Sequence, residues 1–239
     1  MALDSEYPEA YERWTLKKQV MDDGETKILS PMREQDERGC CYFALAATLE
    51  PNLKVQCKRA VELPIPHLRS LDVESRIRHS TVRGKVVRLA LMIQDEGVFE
   101  KDQYEAIQNH TLAQMDARRY KITHFRAYHV DKPLDIRRAL YKLRSGGPLL
   151  AVIRISDNYD ECYESGMIYR FDPSRVVWRI TNDVAETHAV AVVSFVVEAK
   201  VPCLECQDSH GKGFGRDGFL LVDITSVKEL YSFRISLSG

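Results

Sequence analysis

The chain has 239 residues, 44% hydrophobic and 29% charged, with 34 Lys+Arg against 35 Asp+Glu and a formal net charge of −1. This is an ordinary globular balance, with length enough for one large domain or two small ones. A near-neutral chain offers no field for nucleic acid or an anionic surface, and no apolar run approaches the roughly 20 residues of a membrane span, so neither partner is expected.

Residues 1 to 30 are polar and read as extended or loop-like. With Glu6, Glu9, Glu12, Asp22, Asp23 and Glu25 among few apolar residues, no secretory leader is expected there. The six cysteines show no pairing pattern, so mostly reduced thiols in the cytoplasm or another reducing compartment are expected.

The next stretch, Gln35-Asp36-Glu37-Arg38-Gly39-Cys40-Cys41-Tyr42-Phe43-Ala44-Leu45, opens polar and turns apolar. Residues 42 to 49 are good helix material and Pro51 is expected to close the run. Cys41 then sits about where a helix begins, where free N–H groups and the helix dipole favour a thiolate. Gln35, six residues earlier, offers an amide that can fold back toward the sulfur. A thiolate beside an amide donor is the beginning of an acyl-transfer site. The plainer reading of Cys41 is a buried core cysteine, and Cys40 beside it is read as packing.

Residues 51 to 80 are mixed, with Pro64 and Pro66 predicting extended backbone. Apolar residues at 86, 89, 90 and 93 predict a helix over 85 to 96, with Gly97 as its C-terminal glycine. A strand is predicted over 122 to 130. A helix follows over 134 to 143, with Asp131 as N-cap and Gly146-Gly147 ending it. Residues 148 to 155 predict a buried strand, and 188 to 197 and 218 to 224 predict two more. Helices first and strands later define an α+β fold.

A cysteine nucleophile needs a base. Of seven histidines (67, 79, 110, 124, 129, 188 and 210), His188 stands apart because it opens the strand Ala189-Val190-Ala191-Val192-Val193. A strand can hold such a side chain rigidly at a cleft mouth. Cys203-x-x-Cys206 with His210 has partial zinc spacing but lacks an evident fourth ligand. No metal and no cofactor is expected.

The stretch around Cys41 resembles the papain family of cysteine peptidases, which reads Gln-Gly-x-Cys-Gly-x-Cys-Trp-Ala-Phe. Gln35 and Cys41 hold the glutamine-to-nucleophile spacing, Gly39 holds the glycine and Tyr42 stands for the tryptophan. His188-Ala189-Val190 matches the family's base phrase, 147 positions after Cys41. Asp208-Ser209-His210-Gly211-Lys212-Gly213-Phe214-Gly215-Arg216-Asp217-Gly218-Phe219 resembles Asn-Ser-Trp-Gly-x-x-Trp-Gly-x-x-Gly-Tyr. Tyr7-Pro8 with Trp14, the segment Val98-Phe99 and Tyr104, and the run Tyr159 to Tyr169 also look like family segments. The resemblance covers about Pro8 to Phe219, and no counterpart of the family's inhibitory pro-region is expected.

What this resemblance implies is a two-lobed α+β domain spanning 1–239. An N-terminal extended segment would occupy 1–30, a helical lobe about 31–125 and a barrel-like β lobe about 126–239, with the cleft between the lobes. It implies a peptidase with Cys41 as nucleophile, His188 as base, Asp208 in the place of the orienting asparagine and Gln35 in the oxyanion hole. The substrate would be a protein or peptide. Three departures stand out: Asp208 for asparagine, His210 for the shielding tryptophan, and a groove loop near Thr81-Val82-Arg83-Gly84-Lys85 with a single glycine and no cysteine. Arg38 occupies the place of that cysteine's family partner. Asp208→Asn, which restores the family's group, is expected to keep activity. The alternative is a catalytically weak or inactive homologue that binds a protein partner within a complex.

Overall fold

The computed structural model describes residues 13–36, 39–72, 81–162, 167–179 and 184–238. Helix α1 (Cys40–Cys57) is buried around most of its circumference, including Leu45, Leu49 and Leu53 at 0% exposure. It continues through Pro51, where the sequence predicts an end. An interior proline removes a hydrogen bond and crowds the preceding turn. Burial on both faces offsets that cost. Thr48 Oγ1 donates to Ala44 O at 2.7 Å, and Asn52 Nδ2 donates to Thr48 O at 2.8 Å and Pro148 O at 3.1 Å.

Pro64 is extended as expected, but helix α2 (Ile65–Leu71) begins at the next residue and takes in Pro66, because a proline in a first turn has no useful N–H to lose. Helix α3 (Val82–Asp95) begins three residues before the predicted start, capped by Thr81 Oγ1, which accepts from the Gly84 N–H at 3.1 Å. Helix α4 (Lys101–Gln108) forms where a loop was expected and buries none of its residues. Helix α5 (Pro133–Gly146) has Lys132 at its N-cap, not Asp131, and Pro133 opens it.

The strands are β1 (Arg13–Thr15), β2 (Val98–Phe99), β3 (Arg119–His129), β4 (Leu149–Arg154), β5 (Ile168–Tyr169), β6 (Trp178–Arg179), β7 (Val184–Ala185), β8 (Thr187–Glu198), β9 (Val201–Gln207), β10 (Phe219–Asp223) and β11 (Val227–Ser238). The main sheet runs β2-β3-β11-β4-β8-β9-β10-β5, with β1 against β8 and β6-β7 as a separate pair. Its described pairings are antiparallel except β5 with β10.

Alternate residues of the central strands leave opposite faces of the sheet. Leu150, Val152, Ala189, Tyr231 and Phe233 pack with α1, α2 and α3. Leu149, Ala151, Ile153, Val190 and Val192 pack with α5, β9 and β10. The result is the expected α+β architecture of two lobes, each with its own core. The lobe boundary expected at about 125 falls inside β3, which runs unbroken from Arg119 to His129. No described helix is long and apolar enough to cross a membrane.

Candidate active site

Gly39 N-caps α1, so Cys40 and Cys41 are its first two residues. A Cβ at Gly39 would lie 2.8 Å from Asp36 Oδ1 and 3.0 Å from Phe43, so the approach to the helix is tight enough to call for glycine. Neighbouring helix positions point about 100° apart, so the two thiols face different surroundings. Cys41, the residue predicted from spacing, is 1% exposed in the helical core, with its sulfur 3.8 Å from Val82 O. Cys40 is partly exposed and is the thiol hydrogen-bonded to His188, with the Ala189 N–H donating to it as well. The structure therefore brings His188 to Cys40 and leaves Cys41 behind it.

His188 lies on β8 where that strand pairs with Ile153 of β4, and its Nε2 meets Asp208 Oδ2 at 3.2 Å. Asp208 follows β9 and is 2% exposed. Its two oxygens take four donors. Oδ2 accepts from His188 and from the Tyr159 hydroxyl, and Oδ1 accepts from the His210 backbone N–H at 3.0 Å and from His210 Nδ1 at 2.5 Å. Tyr159 and His210 were not assigned roles from sequence. The signal for His210 was its place two residues after Asp208, within reach of that carboxylate.

Gln35 is tied to the same loop. Its N–H donates to Ser209 O at 2.6 Å, its Oε1 accepts from Ser209 Oγ at 2.6 Å, and its Nε2 stands 3.4 Å from His210 Nε2. The loop depends on glycines: Gly215 and Gly218 have φ of +57° and +85°, and a Cβ at Gly215 would lie 2.4 Å from Phe219 O.

The electrostatics pull the two thiols apart. The Cys40 pKa is held well below the usual cysteine value by a hydrogen bond from the Cys41 thiol; burial opposes this, and the His188 hydrogen bond and charge reinforce it. The Cys41 pKa is pushed well above by that same bond, by burial and by the charge on Cys40. For His188, burial disfavours the cation, but the charge and hydrogen bond of Asp208, then those of Cys40, outweigh it and raise the pKa to about 10. For Asp208, burial is outweighed by the charge and hydrogen bond of His188 and the contacts of His210, which hold the carboxyl well below its ordinary range. These shifts favour a thiolate, an imidazolium and a carboxylate in a row.

His188, Asp208 and His210 place ligand-type atoms within 4.8 Å of one another. Each histidine already meets the carboxylate through a ring nitrogen, so protons complete this set and the metal reading gains nothing. Cys203 and Cys206 are both buried on β9, three positions apart and therefore on opposite faces of the strand. All six cysteines are free thiols.

Two expected segments differ or fall outside the description. The groove loop expected at 81–85 is the N-cap and first turn of α3, with Arg83 Nε donating to Glu229 Oε2 at 2.8 Å. Tyr7, Pro8, Arg38 and 163–166 of the Tyr159–Tyr169 run lie outside the described residues.

Two lobes, with a thiol at a helix start facing an imidazole on the sheet, give the layout of a papain-type thiol peptidase. The chain belongs to that family: the profile of the papain family cysteine proteases matches residues 18–230. No curated protein sequence matches the chain. Among solved structures, procathepsin B S9 from Trypanosoma congolense is similar, with TM-score 0.66 and 14% identity over 98% of this chain and 80% of that one. A structure from work on the mite allergens Blo t 1 and Der p 1 has TM-score 0.66 and 17% identity over 97% and 73%. Digestive procathepsin L 3 of the Tenebrio molitor larval midgut has TM-score 0.60 and 15% identity over 93% and 75%. At these identities the likeness bears on fold alone. Family membership supports a peptidase-type function on protein or peptide substrates.

Proposed function

We propose that the protein is a cysteine endopeptidase in which Cys40, and not the predicted Cys41, is the nucleophile. The observation that carries this is the continuous contact from Cys40 at the start of α1 through His188 to Asp208. The helix end and the imidazolium both stabilise a thiolate. The thiolate attacks the scissile carbonyl carbon, and the C=O pair moves to oxygen as an oxyanion. Gln35 is the side-chain donor for that charge, beside the backbone N–H of the nucleophile. His188 then gives its proton to the leaving amine, and a thioester remains on Cys40. Water attacks the thioester while His188 takes its proton, and the acid product leaves the thiolate restored. Asp208 orients the imidazole and stabilises its charge throughout.

The test compares Cys40→Ala with Cys41→Ala, measuring hydrolysis of a fluorogenic peptide and alkylation by iodoacetamide well below the ordinary cysteine pKa of about 8.5. Cys40→Ala should abolish both. Cys41→Ala should stay active, with its alkylation profile moved to higher pH because the thiolate has lost a donor. The reverse pattern would return the role to Cys41.

A second reading is a non-catalytic papain-type domain that binds a protein partner. It is supported by α3 beginning where the family's glycine-rich groove loop is expected. It predicts that the wild-type protein alkylates like an ordinary thiol and cleaves no peptide.

A further inference from the structure

We propose that His210 is a positioning residue for Gln35, and that its protonation state decides whether the Gln35 amide is presented to the developing oxyanion. This rests on the proposed peptidase reading and adds a control on it. His210 Nδ1 faces Asp208 Oδ1 at 2.5 Å, and a carboxylate oxygen only accepts, so Nδ1 carries a hydrogen. In the neutral ring the lone pair is then on Nε2, which faces Gln35 Nε2 at 3.4 Å. An amide N–H donating into that lone pair fixes one Gln35 hydrogen and leaves the other to serve the oxyanion. The far side of the amide is fixed too, since Gln35 Oε1 accepts from Ser209 Oγ at 2.6 Å. Neutral His210 and Ser209 thus hold both ends of one amide plane.

Protonating His210 changes the sign of one contact. Nε2 becomes a donor facing a donor, and the Gln35 amide must turn. The satisfied alternative puts Oε1 on the imidazolium and Nε2 on the Ser209 hydroxyl, which removes the amide hydrogens from their former direction. A tryptophan, the residue the family places here, can offer an N–H but no acceptor nitrogen and undergoes no such change. The groups around His210 are Asp208, the His188 ring with centroids 5.2 Å apart, Tyr159 at 6.2 Å, Phe214 at 5.1 Å, and Glu34, whose backbone pairs with that of His210. His210 is partly exposed, so solvent protons reach it.

His210→Asn isolates the effect. An asparagine amide reproduces the Nδ1–H toward Asp208 and places nothing at Nε2. Removing or misaiming one oxyanion donor costs roughly 10²–10³ in kcat where that donor is lost outright. A misaimed Gln35 should therefore cost on the order of tenfold in kcat with KM within about twofold. The wild-type kcat profile should carry an acid limb that His210→Asn and Gln35→Ala both lack. In Gln35→Ala, adding His210→Asn should cost less than about twofold, since its target is already gone. Losses that multiply in the double variant, or an acid limb that survives in His210→Asn, overturn the proposal.

A second measurement reads the contact without catalysis. In the full chain carrying Cys40→Ala, the Gln35 side-chain amide resonances should shift as the pH is lowered and stay flat in the added His210→Asn. Amide resonances that ignore the substitution overturn the positioning role. This arm decides the proposal whether or not the protein hydrolyses peptides, so a failed peptidase assay and a failed His210 role are told apart.

Discussion

Asp208→Asn looks mild from the sequence, because it restores the family's group, but the surroundings of Asp208 argue for a large cost. Four donors converge on its two oxygens inside a site 2% exposed. An asparagine oriented toward His188 and Tyr159 turns its NH₂ toward the His210 N–H and Nδ1–H. Two half-buried donors without acceptors cost at most about 1–3 kcal/mol each. His210 relieves one by moving its proton to Nε2, which leaves about 1–3 kcal/mol of lost stability and sets a donor against Gln35. The charge lost is that which raises His188 to about 10. The signs fix where the stability loss shows. The Asp208 contribution is present above the unfolded carboxylate value of about 3.9 and lost in strong acid, because its folded pKa is depressed. The His188 contribution is complete below the unfolded value of about 6.5 and lost as pH rises toward 10. Urea unfolding should therefore show the largest difference between wild type and Asp208→Asn near pH 5 to 6.5, shrinking toward pH 10. Hydrolysis needs the imidazolium as acid, so the alkaline limb of kcat/KM should move from about 10 toward the ordinary histidine range. A variant that unfolds at the wild-type urea midpoint at pH 6, with its alkaline limb in place, would refute the reasoning.

Other perturbations test separate parts of the scaffold. Glu50→Ala should destabilise the protein by about 3–5 kcal/mol in urea, because Glu50, at 1% exposure, accepts from both Arg33 nitrogens at 3.1 and 2.7 Å and from the Leu63 N–H at 2.7 Å. Glu50→Gln, which keeps one acceptor, should cost less. His67 is stacked between Phe99 and Tyr104 and its Nδ1 accepts from the Phe99 N–H at 3.2 Å; burial lowers its pKa to about 4. The neutral ring is favoured, so stability should fall as pH drops from about 6.5 to about 4, and His67→Phe should flatten that slope even if its baseline is lower. Gly215→Ala forces a Cβ within 2.4 Å of a backbone oxygen at φ +57° and should cost more than about 1 kcal/mol, with a fall in kcat as the Asp208 loop shifts.

The strands were legible where one signal dominated. Val152 and its neighbours are apolar on both faces because β4 lies between two cores, and continuous apolar runs of that kind stand out. β9 was missed because Pro202 and Glu205 break its apolar run. β11 was missed although Val227-Lys-Glu-Leu-Tyr-Ser-Phe-Arg-Ile alternates, because the resemblance to known family phrases ends before it. α4 is eight residues long and buries none of them, so its pattern is too short to stand out. α1 was cut short at Pro51 because local propensity ignores the packing that holds a helix together on both faces.

The choice between Cys40 and Cys41 shows how the site itself could be read. Counting six residues from Gln35 lands on Cys41, and a motif count carries no information about which way a side chain points. Helical periodicity does. Cys41, Leu45, Leu49 and Leu53 fall four apart, one stripe of four residues at 0–1% exposure. A thiol on that stripe is part of the core, and a substrate carbonyl cannot reach it. Cys40 belongs with Phe43, Ala44 and Ala47, and those three line a small space shared with Gln207, Asp208 and Ser209. That face of α1 looks toward the loop that carries Asp208. An insertion or deletion of one residue between glutamine and cysteine changes a spacing count but leaves the stripe intact, so the stripe is the sounder guide. One position behind Cys40, the Cys41 thiol is placed to donate a hydrogen bond to it.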